Sequence, residues 1–180
     1  MTPVETLWFG LIIVFAVAGI VRGFLRELGV TLVLIVMLFG LTRLSGYFPK
    51  ALDLLTNTLR LPIRAWLDRD AVWLIFYLVL VGSTVFASYQ GYVIKYPGSD
   101  PHGLQGSLLG LLIGAINGYL AVGTLWYYVD KFKAPVRALG LLQYDYTPLA
   151  QRLVKILPPD LLNPYLPFLV VFMIILLVLK

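Results

Sequence analysis

Residues 103–130 read GLQGSLLGLLIGAINGYLAVGTLWYYVD, and from Gly103 to Val129 no side chain carries a charge. A membrane-crossing helix needs about 20 apolar residues to traverse a hydrocarbon core about 30 Å thick. The stretch is long enough to cross a bilayer as a tilted helix. Gly106, Gly110, Gly114 and Gly118 recur at every fourth position. On a helix such positions form one slowly drifting ridge without side chains. Glycine in a helix interior costs about 1 kcal/mol relative to alanine. Four in register therefore predict a compensating gain, which in lipid is the close approach of a second helix.

The rest of the composition agrees with a bilayer as solvent. The chain has 180 residues, which suits one domain. It is 60% hydrophobic and 13% charged, against about 25% charged for a soluble globular domain. Mean hydropathy is +0.89. These values predict an all-α integral membrane protein, a bundle of four to five transmembrane helices with interfacial amphipathic helices. The net charge of +5 fits positively charged cytoplasmic loops better than nucleic acid, and no nucleic-acid-binding motif accompanies it. With no cysteine, disulfides, thiolate nucleophiles and thiolate-bound metals are excluded. The one histidine, His102, stands alone in the loop YPGSDPHG. Metal sites need three or four converging ligands, so neither a metal nor a cofactor is expected.

Working outward from the glycine ridge, residues 71–94 form the span before it. Ser83, Ala87 and Gly91 have small-xxx-small spacing there, which makes this span the expected partner of the ridge. Trp66 and Trp73 at one end and Tyr89, Tyr92 and Tyr96 at the other suit the aromatic belts of the membrane interfaces. Pro97-Gly98 and Asp100-Pro101 mark a short turn between antiparallel spans. Residues 4–21 are almost wholly apolar. Ala16-Val17-Ala18 resembles a signal cleavage site, but the region ahead of it carries Glu5 and no Lys or Arg. That is the wrong sign for a signal peptide, so a retained first helix is expected. Residues 28–42 form a second apolar run. Between the two lies Arg22-Gly23-Phe24-Leu25-Arg26-Glu27. Two antiparallel spans joined by a tight charged corner, or a kinked re-entrant pair, both satisfy this pattern, and Gly23 gives the backbone the freedom that either requires. If the corner is helical, Arg22 and Arg26 share a face and Glu27 lies beside Arg26.

Two segments have interfacial patterns. Between Pro49 and Pro62, Leu52, Leu55 and Leu59 form a stripe with Lys50, Asp53 and Arg60 outside it. This suits a helix on the membrane surface, or a loop helix packed on the bundle ends. Leu149, Leu153 and Ile156 form a second stripe beside Arg152 and Lys155. Residues 165–179 are apolar and short: a fifth span, or a tail at the edge of the bundle. With five spans, the amino terminus, loop 43–70 and segment 130–164 share a side that carries ten of the 14 Lys and Arg. The positive-inside rule puts that side in the cytoplasm.

The stretches GIVRGFLREL (19–28) and GSLLGLLIGAINGYL (106–120) share a G-x-x-polar-G-aromatic-L pattern. This is a weak sign of duplication, as in membrane proteins built from repeats. The same two stretches resemble the colicin V production protein (CvpA) family of bacterial membrane proteins. Arg22, Gly23, Phe24, Arg26 and Glu27 match its charged corner. Leu109, Gly110, Gly114 and Gly118 match its glycine pattern, with Asn117 where that family usually has arginine. The resemblance covers roughly residues 7–130 and implies a four-helix membrane domain over 1–130; the amphipathic segment and fifth transmembrane helix expected over 131–180 lie outside it. It also implies a multi-pass protein of the bacterial cytoplasmic (inner) membrane, linked to toxin (colicin V) production or export and to envelope maintenance, with no catalytic residues.

Two functions follow as expectations. One is a non-enzymatic accessory or scaffold protein whose partners are the lipid bilayer, further copies or other membrane proteins. The other is a small oligomeric transporter or channel for an anionic or polar solute, because charges at membrane depth are expensive and mark functional positions. Arg22, Arg26, Glu27 and Asn117 are the candidate site residues under either reading. They would line a polar path in the second; in the first, Arg22 and Arg26 would anchor the corner to anionic lipid head groups.

Overall fold

The computed structural model describes residues 4–47, 70–90, 96–138 and 146–179, with single positions 50, 54, 58 and 94 besides. The expected stripe of Leu52, Leu55 and Leu59 lies outside them, as do Gly91 and Tyr92. The described residues form helices and no strand: α1 (Val4–Arg22), α2 (Phe24–Leu44), α3 (Asp70–Gln90), α4 (Gly103–Lys131), α5 (Lys133–Ala138), α6 (Pro148–Val154), α7 (Pro158–Leu162) and α8 (Leu166–Val178). Helices α1 to α4 are long and apolar enough to cross a membrane. The pair made by residues 148–162 and 166–178, bent by 61°, is apolar enough to make a fifth, broken crossing.

Side-chain contacts give the directions of the four long helices. Gly19 meets Gly110 and Gly114, while Ile12 and Phe15 meet Gly118, so α1 runs antiparallel to α4. Helix α2 runs back beside α4, with Thr31 against Asn117 and Leu41 packed in one cluster with Tyr128. Helix α3 runs antiparallel again. Tyr77 stacks on Tyr128 with ring centroids 4.0 Å apart, and Tyr89 sits at the other end against Phe15. The bundle thus has an amino-terminal side and a corner side, the latter holding Gly23 and the loop before α4. Broad apolar faces of α1 and α3 remain exposed on the outside, among them Ile13, Val17, Ile75 and Val79. This is the arrangement expected where lipid, not water, is the neighbour.

The corner is a single residue. Helix α1 ends at Arg22 and α2 begins at Phe24, with Gly23 between them at φ 90° and ψ 154°. Only glycine adopts that φ readily. The chain therefore reverses as two separate helices, and Arg22 and Arg26 do not share a helical face.

The glycine ridge of α4 packs on α1 rather than on α3. A Cβ added at Gly114 would stand 2.5 Å from the Phe15 carbonyl oxygen and 3.0 Å from Gly19 Cα. One added at Gly118 would stand 2.8 Å from Phe15 Cβ. Gly106 belongs to a different contact, since its open face is filled by the Pro101 carbonyl of the loop before α4. On α3, Ser83 and Ala87 are exposed. The Ser83 hydroxyl bonds back to the Leu80 carbonyl at 3.1 Å. With its hydrogen bond satisfied locally, that hydroxyl needs no partner helix.

The carboxy-terminal helices share the same body. Leu166 and Met173 lie in one core cluster with Leu25, Leu34, Leu120 and Ala121. Helix α7 packs on α4 where Pro158 fills the space beside Gly123. Thr147 donates a hydrogen bond to Glu5 on the amino-terminal side, and Tyr96 donates one to the Met173 carbonyl (2.8 Å) on the corner side. The broken pair therefore runs from one side to the other. Burial raises the Tyr96 phenol pKa, which keeps the hydroxyl a donor. Of the stripe Leu149, Leu153 and Ile156, only Leu153 is buried. Helix α6 ends at Val154, so helical spacing does not extend to Ile156. Ala150 and Leu157 complete the packed cluster instead.

The ridge makes a prediction of sign. Glycine-to-alanine changes in open helix positions are neutral or favourable by up to about 1 kcal/mol. Overpacking against backbone costs about 1–3 kcal/mol. Gly114→Ala is expected to lower the unfolding temperature of the detergent-solubilised protein. Gly82→Ala, with nothing within 4 Å of the new Cβ, is not. Equal behaviour of the two would show that α1 and α4 do not meet at the ridge.

Candidate functional site

Glu27 lies in the first turn of α2, and its side chain is 0% exposed. A carboxylate removed from water is costly unless it is paired and hydrogen-bonded. Each of the three other long helices supplies a group for it. From the end of α1, Arg22 Nε stands 3.1 Å from Glu27 Oε1. From α3, the Tyr89 hydroxyl donates to Oε2 at 2.8 Å. From α4, Asn117 Nδ2 donates to Oε2 at 2.8 Å and to the Glu27 backbone carbonyl at 3.0 Å. Hydrogen bonds to a charged acceptor contribute about 1.5–3 kcal/mol each.

Asn117 is itself wholly buried. Both of its amide protons go to Glu27, and its Oδ1 stands 2.7 Å from the Thr31 hydroxyl. That hydroxyl also lies 2.9 Å from the Glu27 carbonyl. It has one proton to give. The two oxygens share that donor, and Oδ1 is the nearer. Arg22 is held from its other side. Its guanidinium carbon lies 4.2 Å from the centre of the Tyr89 ring, and its terminal nitrogens reach the Ser88 and Tyr89 carbonyls at 3.4 Å. The guanidinium is 20% exposed, so it sits at the rim of the cluster and Glu27 at its floor.

The loop before α4 completes the corner. Asp100 Oδ1 accepts from the Leu25 backbone N–H at 2.8 Å, satisfying one of the free donors at the start of α2. A Cβ at Gly23 would stand 3.0 Å from Asp100 Oδ2. The glycine thus serves both the reversal and the close seat of this carboxylate.

The structure joins three of the four candidate residues, Arg22, Glu27 and Asn117. Arg26 is exposed on the far side of the corner. Arg26 stays next to Glu27 along α2 but faces outward; the break at Gly23 turns Arg22 toward the carboxylate. Tyr89, Thr31 and Asp100 were not singled out from the sequence for this site. Tyr89 reads as a belt aromatic, Asp100 as a turn residue and Thr31 as a polar residue in an apolar run. The remaining signal was Thr31 four residues after Glu27, on the same helix face. Among the described residues no group of three or more His, Cys, Asp or Glu is placed to hold a metal. Comparison with protein-family models, with curated proteins and with solved structures finds no match to this chain.

The unequal depth of the two charges generates a prediction. Removing one partner of a buried pair costs about 3–5 kcal/mol when the remaining charge stays buried. Arg22→Gln leaves the Glu27 carboxylate uncompensated at the floor. Glu27→Gln leaves Arg22 at the rim, where it can reach lipid phosphates, and keeps acceptors for Tyr89 and Asn117. Arg22→Gln is therefore expected to be the more destabilising by thermal unfolding in lipid nanodiscs, by at least about 1 kcal/mol on that basis. The reverse order would contradict this account of the cluster.

Proposed function

We propose that the chain is a non-enzymatic scaffold or accessory component of a bacterial cytoplasmic membrane. Its role is the one that the resemblance to the colicin V production family implies: support of toxin production or export and of envelope maintenance. The observation that carries the reading is the commitment of the polar groups inside the bundle. Glu27, Asn117, Thr31 and Tyr89 bond to one another across α2, α3 and α4, and Arg22 adds α1. A transport path needs polar groups that exchange partners with a solute. Groups already matched to each other favour a rigid body that other proteins assemble on. Exposed Arg26 and the rim of Arg22 suit anionic head groups at the corner side. A second copy or another membrane protein would bind along the exposed helix faces.

Water access separates this reading from a transporter or channel. The chain has no cysteine, so a single Thr31→Cys variant, close in size to the native residue, reports on the cluster. His102→Cys in the exposed loop is the control. In intact membranes, His102→Cys is expected to react with a small charged thiol reagent from one side, and Thr31→Cys from neither. Labelling of Thr31→Cys from both sides would establish an aqueous path and overturn the scaffold reading.

A further inference from the structure

Helix α6 enters the bundle from the amino-terminal side and stops part-way through it. At its start, Thr147 donates a hydrogen bond to Glu5, in the first turn of α1. Just past its end, the Ile156 carbonyl accepts from the Tyr119 hydroxyl. The chain then turns back, since Pro158 stands against Gly123, one turn of α4 nearer the amino-terminal side. The glycine contacts set the depth of this dip. Gly118 lies against Ile12 and Gly114 against Ala16, so in this antiparallel pair Tyr119 stands level with Leu11. Leu11 is about 9 Å inside Glu5 along the axis of α1. The 19 residues of α1 rise about 28 Å, close to the thickness of the hydrocarbon core. Glu5 therefore marks the edge of the core on this side, and α6 descends below it.

The dip carries charge with it. Ala150 and Leu153 bury the inner face of α6 against Trp8, Val122 and Trp126. The outer face holds Leu149 and Ile156, both about half exposed, and between them Arg152 and Lys155, both exposed. These two cations are three positions apart, so they are neighbours on the helix surface. Among the described residues neither has an ion pair or a side-chain hydrogen bond; the ion pairs there join Arg22 to Glu27 and Lys133 to Asp130. Like charges one turn apart repel, and charges at membrane depth are expensive. Arg152 is one turn shallower and its long side chain reaches the head groups by snorkelling. Lys155 lies deeper, and its side chain covers only part of the distance. Relief of both at one point requires an anion drawn down to them.

We propose that the outer face of α6 is a site for one anionic phospholipid. Arg152 and Lys155 together hold its phosphodiester below the plane of the neighbouring head groups, and Leu149 and Ile156 flank its acyl chains. Three features select this occupant. The unmatched groups are both cations, so the occupant brings negative charge; a zwitterionic lipid would add the ammonium or choline cation of its own head group beside them. The flanking side chains at the same level are apolar, which suits a lipid chain and not a free phosphate in water. The guanidinium of Arg152 offers paired donors that match phosphate oxygens. The site lies on the side of the bundle opposite Arg26 and the corner. The inference rests on the chain's spanning the membrane and stands apart from the scaffold reading.

The test uses full-length protein in detergent with equal amounts of phosphatidylglycerol and phosphatidylcholine of the same acyl chains, and native mass spectrometry counts the lipids retained. The unaltered protein is expected to prefer phosphatidylglycerol. The preference is expected to fall about fivefold for each base removed, in Arg152→Gln, in Lys155→Gln and in the two combined. Lys131→Gln with Lys133→Gln removes the same charge from the same side, outside the dip, and is expected to leave the preference as it was. Equal retention of the two lipids by the unaltered protein would overturn the proposal. So would a preference that survives both changes, as lipid held at the corner would, or an equal loss in the Lys131 and Lys133 control. Displacement of the lipid by glycerol 3-phosphate at equal concentration would show a phosphate site without a lipid and also counts against it. If the doubly changed protein does not fold, each single change makes the same comparison.

Discussion

Glu27 is a charge held inside an apolar bundle, and the placing of the four long helices answers to it. Its carboxylate needs a cation and hydrogen-bond donors, because no water is at hand to supply them. Helix α2 cannot provide these alone. Arg22 arrives from α1, Tyr89 from α3 and Asn117 from α4. Between helices in lipid, packing and polar contacts replace the hydrophobic drive that works in water. One buried carboxylate therefore fixes the register of three neighbours at once. A slide of any of them by a turn, about 5.4 Å, would strand a polar group in hydrocarbon.

That register depends in turn on how closely α1 and α4 approach. Asn117 and Gly118 are adjacent, so on a helix they point about 100° apart, given 3.6 residues per turn. The glycine edge of α4 lies against α1 at Gly19 and Phe15, while the neighbouring face presents Asn117 to α2. A bulkier ridge would push α1 outward and carry Arg22 away from Glu27. The single-residue reversal at Gly23 works toward the same end, since it lets the last residue of α1 and the first turn of α2 face each other. Asp100 then caps the start of α2 from the opposite loop, closing the corner on its outer side.

Much of the fold was legible in the sequence because a bilayer imposes length. The uncharged run of α4 and the apolar runs around the RGFLRE corner needed no partner to be recognised as helices. What the spacing of glycines could not specify was which helix fills the ridge. GxxxG states that a backbone is approachable and leaves the approaching side open. Ser83 and Ala87 offered a better-looking match than α1, whose small residues at the contact are Ala16 and Gly19. They face outward, and the Ser83 hydroxyl, satisfied within its own turn, needs no partner there. In the polar cluster, Arg22, Glu27 and Asn117 stood out as charges and an amide at membrane depth. The pairing was hidden because it depends on the φ of Gly23. Arg26 precedes Glu27 on α2 in either case and points about 100° away round the helix; the reversal at Gly23 is what brings Arg22 to Glu27. Tyr89 escaped because an aromatic near a span end has an ordinary interfacial role, and only the tertiary position of Glu27 gives its hydroxyl another.

At the corner, Glu27 Oε2 accepts two hydrogen bonds, while Oε1, buried without one, is held by its ion pair with Arg22, so rearranging the groups requires breaking several contacts together. That stiffness suits a body whose outer faces, rather than its interior, meet other molecules.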